Sequence, residues 1–276
     1  MPELPEAETV RRQIAPHVTG KIIQSAWAKL PRRTLPSIDE FMERVQGQRI
    51  LDACRRGKQL YFPLKSGDHL LIHLGMTGRL AVEKSTFTRE NAPRHLQAVL
   101  TLPNGHQLTF RDPRTFGAIG VSRELSFLQN LGPEPLDPDF DIAVIAKKLK
   151  TRNTKIKTAL LDQSLIAGLG NIYADEACFE ARIHPAHIAS TISLPRLRNL
   201  CGTLRPILER AIAARGATLK DKGYQDIFGN HGEFMPNVYG QTDEPCTICG
   251  TPIRRGTLGA GKSARSYHYC PKCQKM

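Results

Sequence analysis

Four cysteines near the end of the chain constrain its folding more than any other feature. Cys246 and Cys249 form one C-x2-C pair, Cys270 and Cys273 a second, with twenty residues between them. This spacing brings four thiolates to the corners of a tetrahedral Zn²⁺ site. Four protein ligands leave no open coordination position, so the expected metal is structural. It holds a hairpin too small for a core of its own, because metal binding supplies the folding free energy. Between the pairs, Arg254, Arg255, Lys262 and Arg265 stand among Gly256, Gly259 and Gly261, a basic tip suited to a groove. Cys54, Cys178 and Cys201 are scattered and read as ordinary buried thiols of a reducing compartment.

The charge balance points the same way. Lys plus Arg number 39 against 26 Asp plus Glu, a net charge of +13, which is the footprint of a protein that binds a polyanion. Nucleic acid is the default partner, although ribosomal or membrane-surface association also fits such a charge. With 276 residues, 40% of them hydrophobic, the chain can bury a core, and its length suggests two domains. It has no apolar run of the roughly 18 residues that span a bilayer and no signal peptide, so a cytoplasmic protein is expected.

At the other end, Pro2 follows the initiator Met1, and its side chain is small enough for that methionine to be removed. A free α-amino group titrates at about 7.7–8.0, far below lysine, so an unprotonated, nucleophilic fraction exists near neutral pH. Such amines attack carbonyl carbons to give Schiff bases. Pro5 suits a first helical turn, and Ala7, Val10, Ile14 and Val18 recur at helical spacing before Gly20. The amine would then stand just outside a positive helix end that disfavours its protonation. Glu3 beside it and Glu6 one turn away are candidate proton carriers.

From there to about residue 125 the pattern is β. Arg49–Cys54, Gln59–Leu64 and His69–Leu74 are short apolar-rich segments, and Ala98–Leu102 and Gln107–Arg111 flank the hairpin signal Asn104-Gly105. An antiparallel β-sandwich behind one N-terminal helix is expected. Gly132 to Pro138 is punctuated heavily enough to read as a linker. Beyond Ile142 the chain turns helical: a basic run of Lys147, Lys148, Lys150, Arg152, Lys155 and Lys157 reads as a solvated face. Gly168 and Gly170 lead into Asn171, where a glycine-rich turn at a helix start exposes backbone N–H groups to phosphate. Asn171 could cap that helix or bond a phosphate itself. A long helix from about Leu194 to Arg215 carries Pro206, which predicts a kink, and Gly216–Tyr239 reads as a lid or a disordered connection.

The string MPELPEAETVRR resembles the amino terminus of the formamidopyrimidine-DNA glycosylases, bacterial enzymes that excise oxidised purines such as 8-oxoguanine and then cut the strand. Further blocks follow in family order: RRGKQLYF with Lys58, HLGMTG with Met76, DPRTFG with Arg114 and Phe116, GLGNIYADE with Asn171, Lys220, Tyr239, and the cysteine pairs with Arg265. The resemblance implies Pro2 as nucleophile, Glu3 as acid/base, and Lys58 and Arg265 as catalytic-site groups that grip phosphates around the lesion. It implies DNA binding by Glu6, Asn171, Lys220 and Tyr239, with Met76, Arg114 and Phe116 filling the space an extruded base leaves. One Zn²⁺ is implied at Cys246, Cys249, Cys270 and Cys273, and double-stranded DNA carrying oxidised bases as the partner of a monomer associated with the nucleoid.

The implied architecture is α+β and multidomain: a β-sandwich catalytic domain over 2–132, a linker over 133–141, a helix-two-turn-helix domain with a lesion-covering loop over 142–240 and a β-hairpin zinc finger over 241–276, with DNA in the cleft between. Departures fall at Thr115, where the family often has a basic residue, and at Arg215 and Ala217 around Gly216, so base preference is less fixed than chemistry. An endonuclease VIII-like enzyme for oxidised pyrimidines is the nearest alternative; Leu4, where that group has glycine, argues against it. A non-catalytic damaged-DNA-binding protein and a zinc-ribbon RNA-associated protein are the others.

Overall fold

The computed structural model describes residues 2–219, 223–261 and 264–276, so Lys220 and Lys262 lie outside the described residues. Two compact units form, one of Met1–Gln129 with Ala214–Glu233, the other of Asn130–Ala213 with Phe234–Met276.

In the first unit, helix α1 (Leu4–Val18) lays Val10, Ile14 and Val18 on a core shared with two sheets. One sheet has the order β1 (Ser25–Ala28), β7 (Leu96–Thr101), β8 (His106–Arg111), β6 (Arg79–Lys84). The other runs β2 (Thr34–Leu35), β9 (Ala118–Ser122), β5 (His69–His73), β4 (Gln59–Pro63), β3 (Cys54–Arg56). All pairings are antiparallel except the short β2–β9 contact. The sandwich read from the sequence is therefore present. Alternation explains it: Leu60 and Phe62 on β4 and Leu70 and Ile72 on β5 point inward, their neighbours outward.

Two expectations change. The strand expected at Arg49–Cys54 is reduced to single bridges, Ile22 to Arg49 and Ile50 to Leu64, and regular pairing begins only at Cys54. A second helix, α2 (Ile38–Val45), stands beside the sandwich; Ser37 caps it by accepting the Glu40 N–H (3.2 Å), and Phe41 and Val45 are buried. The unit also holds the short α3 (Ser126–Gln129).

The second unit holds α4 (Ile142–Lys150), α5 (Ile156–Leu160), α6 (Asn171–Glu180), α7 (Leu194–Ala213) and the hairpin of β10 (Arg254–Leu258) with β11 (Arg265–Tyr269). Pro206 lies inside α7. The segment expected as a linker is packed into this unit: the Gly132 N–H donates to the Gln163 carbonyl (2.8 Å), the Ala167 N–H donates to the Pro133 carbonyl (3.0 Å), and Glu134 is buried. Its prolines mark a turn-rich path over the helices rather than a free connection. The segment Gly216–Tyr239, expected with the helical domain, divides: up to Glu233 it packs in the first unit. No helix among the described residues is long and apolar enough to cross a membrane.

Candidate active site and DNA-binding residues

The first turn of α1 is closed by a capping box. Glu3 is the N-cap, its side chain accepting from the Glu6 backbone, while the Glu6 carboxylate accepts the Glu3 N–H at 2.7 Å. The same Glu6 carboxylate accepts the Ala217 N–H at 2.8 Å, which docks the chain after α7 onto the helix start. Gly216 makes this approach possible: its φ is +86°, and a Cβ there would lie 2.7 Å from Glu6 Cγ. Pro2, Glu3 and Glu6 are all buried. Glu6, a candidate proton carrier from the sequence, thus holds two backbone segments together.

Lys58 follows the tight turn at Gly57 that joins β3 and β4, and the Arg55 guanidinium donates to the Gly57 carbonyl (2.8 Å). Burial pushes the Lys58 ammonium below the ordinary lysine range, and the nearby carboxylates of Glu3 and Glu6 partly oppose the shift. A desolvated cation beside two carboxylates at a helix start is an arrangement suited to proton movement. His73, at the end of β5, joins this group: burial lowers its imidazole, the Lys58 charge adds to the effect, and it shares a hydrogen bond with the Lys58 backbone. Sequence reasoning passed over His73, whose only signal is its place at the end of the strand leading to HLGMTG.

Met76, Arg114 and Phe116 come from two abutting loops. A Cβ on Gly75 would lie 2.5 Å from the Gly117 nitrogen, so only glycine lets the loops meet. Asp112 ties them: its carboxylate accepts from Thr77 Oγ1 (2.6 Å), the Arg114 N–H (3.2 Å) and the Gly117 N–H (2.7 Å). Thr115, the departure from the family pattern, takes φ +54°. Phe116 is 45% exposed, with the Arg114 guanidinium 5.1 Å from its ring centroid. An exposed aromatic under a guanidinium, on a loop braced from behind, can wedge into a base stack. Asp112 went unnoticed in the sequence although it opens DPRTFG.

In the second unit Gly170, not Asn171, is the N-cap of α6, and the Asn171 Oδ1 atom is buried with no hydrogen-bond partner among the described residues. Lys157 departs from its expected solvated face. It is fully buried, 2.8 Å from Asp175, and its ammonium also donates to the carbonyls of Ser266 (2.6 Å) and Asn171 (3.4 Å). Asp175 in turn accepts the His268 N–H (2.9 Å). One buried cation therefore sets the start of α6 beside the strand that begins at the exposed Arg265. Tyr239 touches both, its ring 5.7 Å from the Lys157 ammonium and edge-on to the His268 ring at 4.9 Å. Glu176 fixes it there by accepting the N–H groups of Asn237 (2.8 Å), Val238 (2.9 Å) and Tyr239 (3.0 Å); burial still raises the Glu176 carboxyl above its ordinary range.

Cys246, Cys249, Cys270 and Cys273 bring their sulfur atoms within 4.8 Å of one another. That donor set fits one tetrahedral metal ion, and Gln274 braces it by accepting the Cys270 N–H (2.8 Å) while donating to the Ile183 carbonyl (2.9 Å).

Comparison with known proteins agrees with this geometry. Residues 1–119 match the formamidopyrimidine-DNA glycosylase N-terminal domain, and residues 131–223 match the formamidopyrimidine-DNA glycosylase H2TH domain. The chain is 43% identical to a formamidopyrimidine-DNA glycosylase of Symbiobacterium thermophilum, over all of this chain and 90% of that protein. It is 40% identical to one of Herpetosiphon aurantiacus, over 99% of this chain and all of that protein. Among solved structures it superposes on the MutM (Fpg) protein of Thermus thermophilus with a TM-score of 0.87 and 38% identity, covering 99% and 98% of the two chains. It superposes on Lactococcus lactis Fpg in complex with DNA containing an abasic site with a TM-score of 0.90 and 32% identity, covering 99% and 100%. The chain belongs to the formamidopyrimidine-DNA glycosylase family.

Proposed function

We propose that this protein is a bifunctional DNA glycosylase and abasic-site lyase that removes oxidised purines, 8-oxoguanine and formamidopyrimidines, from duplex DNA. The start of α1 carries the reading: Pro2 adjoins Glu3, whose buried carboxylate, with that of Glu6, acts on the desolvated Lys58. With Met1 removed, the Pro2 nitrogen donates its electron pair to C1′ of the damaged nucleotide. The bond from C1′ to the base breaks, and the base leaves with a proton. Glu3 protonates the sugar ring oxygen, opening the ring to an iminium between Pro2 and C1′. That cation acidifies the neighbouring C–H bonds, so loss of protons expels first the 3′ and then the 5′ phosphate.

Lys58, Asn171 and Arg265 hold the backbone phosphates, Tyr239 binds DNA beside them, and Met76, Arg114 and Phe116 occupy the gap in the duplex. Lys220 is assigned to the base-binding segment by the family pattern alone. The four cysteines hold one Zn²⁺, whose role is to fold the finger. The protein acts as a monomer.

Borohydride trapping tests the chemistry, because it reduces an iminium irreversibly. Incubation with an 8-oxoguanine duplex and borohydride should give a covalent protein–DNA adduct. The adduct should fall sharply in Pro2→Gly and vanish when Met1 is retained. Equal adduct yield from the blocked protein would remove Pro2 as the nucleophile.

A further inference from the structure

The segment Tyr224–Gly232 has the architecture of a built element rather than an open loop. Asp226, 1% exposed, is its hub: Oδ1 accepts the N–H groups of Phe228 (3.0 Å) and Asn230 (2.8 Å), and the Asp226 N–H donates to the Asn230 carbonyl (2.9 Å). Tyr224 and Ile227 enter the core of the first unit. Side chains from outside tie the segment down, Gln13 and Arg79 among them. Gln13 on α1 donates Nε2 to Asp226 Oδ2 (3.0 Å) and accepts the Ile227 N–H (3.3 Å). Arg79, opening β6, donates Nη1 to Gln225 Oε1 (2.9 Å). Gln13 lies about two turns beyond Glu6 on the same helix. Since Glu6 holds Ala217, α1 anchors the chain both before this segment and within it.

The anchored segment, with Gly223 before it, lines a cavity of about 420 Å³ through Gly223 and Gln225; Thr77, Arg79, His95 and Arg111 also line it. Arg79 Nε is buried and has no partner among the described residues. An unpaired buried donor is costly unless something completes it, and this one stands with other donors around a space larger than a purine. Oxidised purines differ from intact ones by additional carbonyl or formyl oxygens, which are acceptors.

We infer that Gln13 and Arg79 are specificity-determining positioning residues, which hold residues 223–232 as a fixed wall against which an extruded oxidised purine is read. The inference rests on the glycosylase reading above. A wall that drifts loses its differential hold on damaged bases, whereas an abasic site presents no base and is indifferent to it.

Gln13 touches the wall and not the cavity, so it gives the clean test. Gln13→Glu sets a carboxylate against Asp226. It should lower kcat/KM for 8-oxoguanine excision about tenfold and reduce discrimination against guanine, with incision of a preformed abasic site within about twofold of wild type. Gln13→Glu/Asp226→Asn exchanges donor and acceptor and should restore both excision and discrimination. Gln13→Leu, which cuts the tether without adding charge, should act like the single charged variant, and hydrogen exchange should quicken at 226–232 while the β4 and β5 amides stay protected. Wild-type discrimination in both single variants, or equal loss of excision and abasic incision, overturns the inference. So does a double variant that fails to recover. Wild-type protein inactive on both substrates would remove the glycosylase reading, and this inference with it.

Discussion

Glu8 shows how one buried carboxylate can organise the first turns of α1. It receives Arg11 (2.8 Å), Arg12 (2.7 Å) and Arg55 (3.0 Å), and Arg55 also holds the turn before Lys58. Burial alone would raise its carboxyl, but the hydrogen bonds from the three arginines and the charge of Arg55 bring it down from 4.5 to about 2. A carboxyl whose folded pKa is depressed contributes stability above its unfolded pKa, and that contribution fades as pH falls through the folded value. The shift corresponds to about 3 kcal/mol at neutral pH. Glu8→Gln should therefore melt well below wild type at pH 7, and the gap should narrow as pH falls from 4.5 towards 2. Thermal melts across that range check it; a gap independent of pH would show that the ionised carboxylate is not what matters. At this scale the sequence was partly legible. Pro2, Glu3 and the cysteines stood out by position and spacing, Lys58 only through the family resemblance. Lys157 did not, because nothing within a run of six cations tells which one meets a buried carboxylate eighteen positions later.

At the scale of elements, periodicity revealed what is half-buried and missed what is short. β4 and β5 alternate cleanly and were legible. The eight-residue α2 offers too few turns for its Phe41 and Val45 to register as a period. The finger hairpin was legible through its cysteines, and its dependence on metal can be tested. Its two strands contribute few buried side chains of their own, and its core is the cysteine cluster with Phe179, Val238 and Ile253. Cys249→Ser removes one of four ligands and should release the metal with loss of strand incision, the finger being the element that presents Arg265. Metal content by emission spectroscopy and incision assays on the same sample check this; full incision by metal-free protein would break the link. Chelation of the wild type should give the same loss, reversed by added Zn²⁺.

For the whole molecule the excess of 39 cationic over 26 anionic side chains becomes a statement about DNA. Each phosphate neutralised releases condensed counterions, so affinity falls with salt in proportion to the number of contacts. With about six phosphates engaged, the dissociation constant should rise with roughly the fifth power of salt, close to a thousandfold between about 50 and 200 mM. The roles assigned to single residues separate within that measurement. Arg265, exposed on β11, is assigned to phosphate, so Arg265→Ala should weaken binding and reduce the slope by about one. Phe116, exposed and uncharged, is assigned to the base stack, so Phe116→Ala should weaken binding to lesion duplex and leave the slope unchanged. Fluorescence anisotropy on an abasic-analogue duplex at several salt concentrations distinguishes them. If Phe116→Ala flattened the slope and Arg265→Ala did not, the division of labour between plug and backbone grip would be reversed.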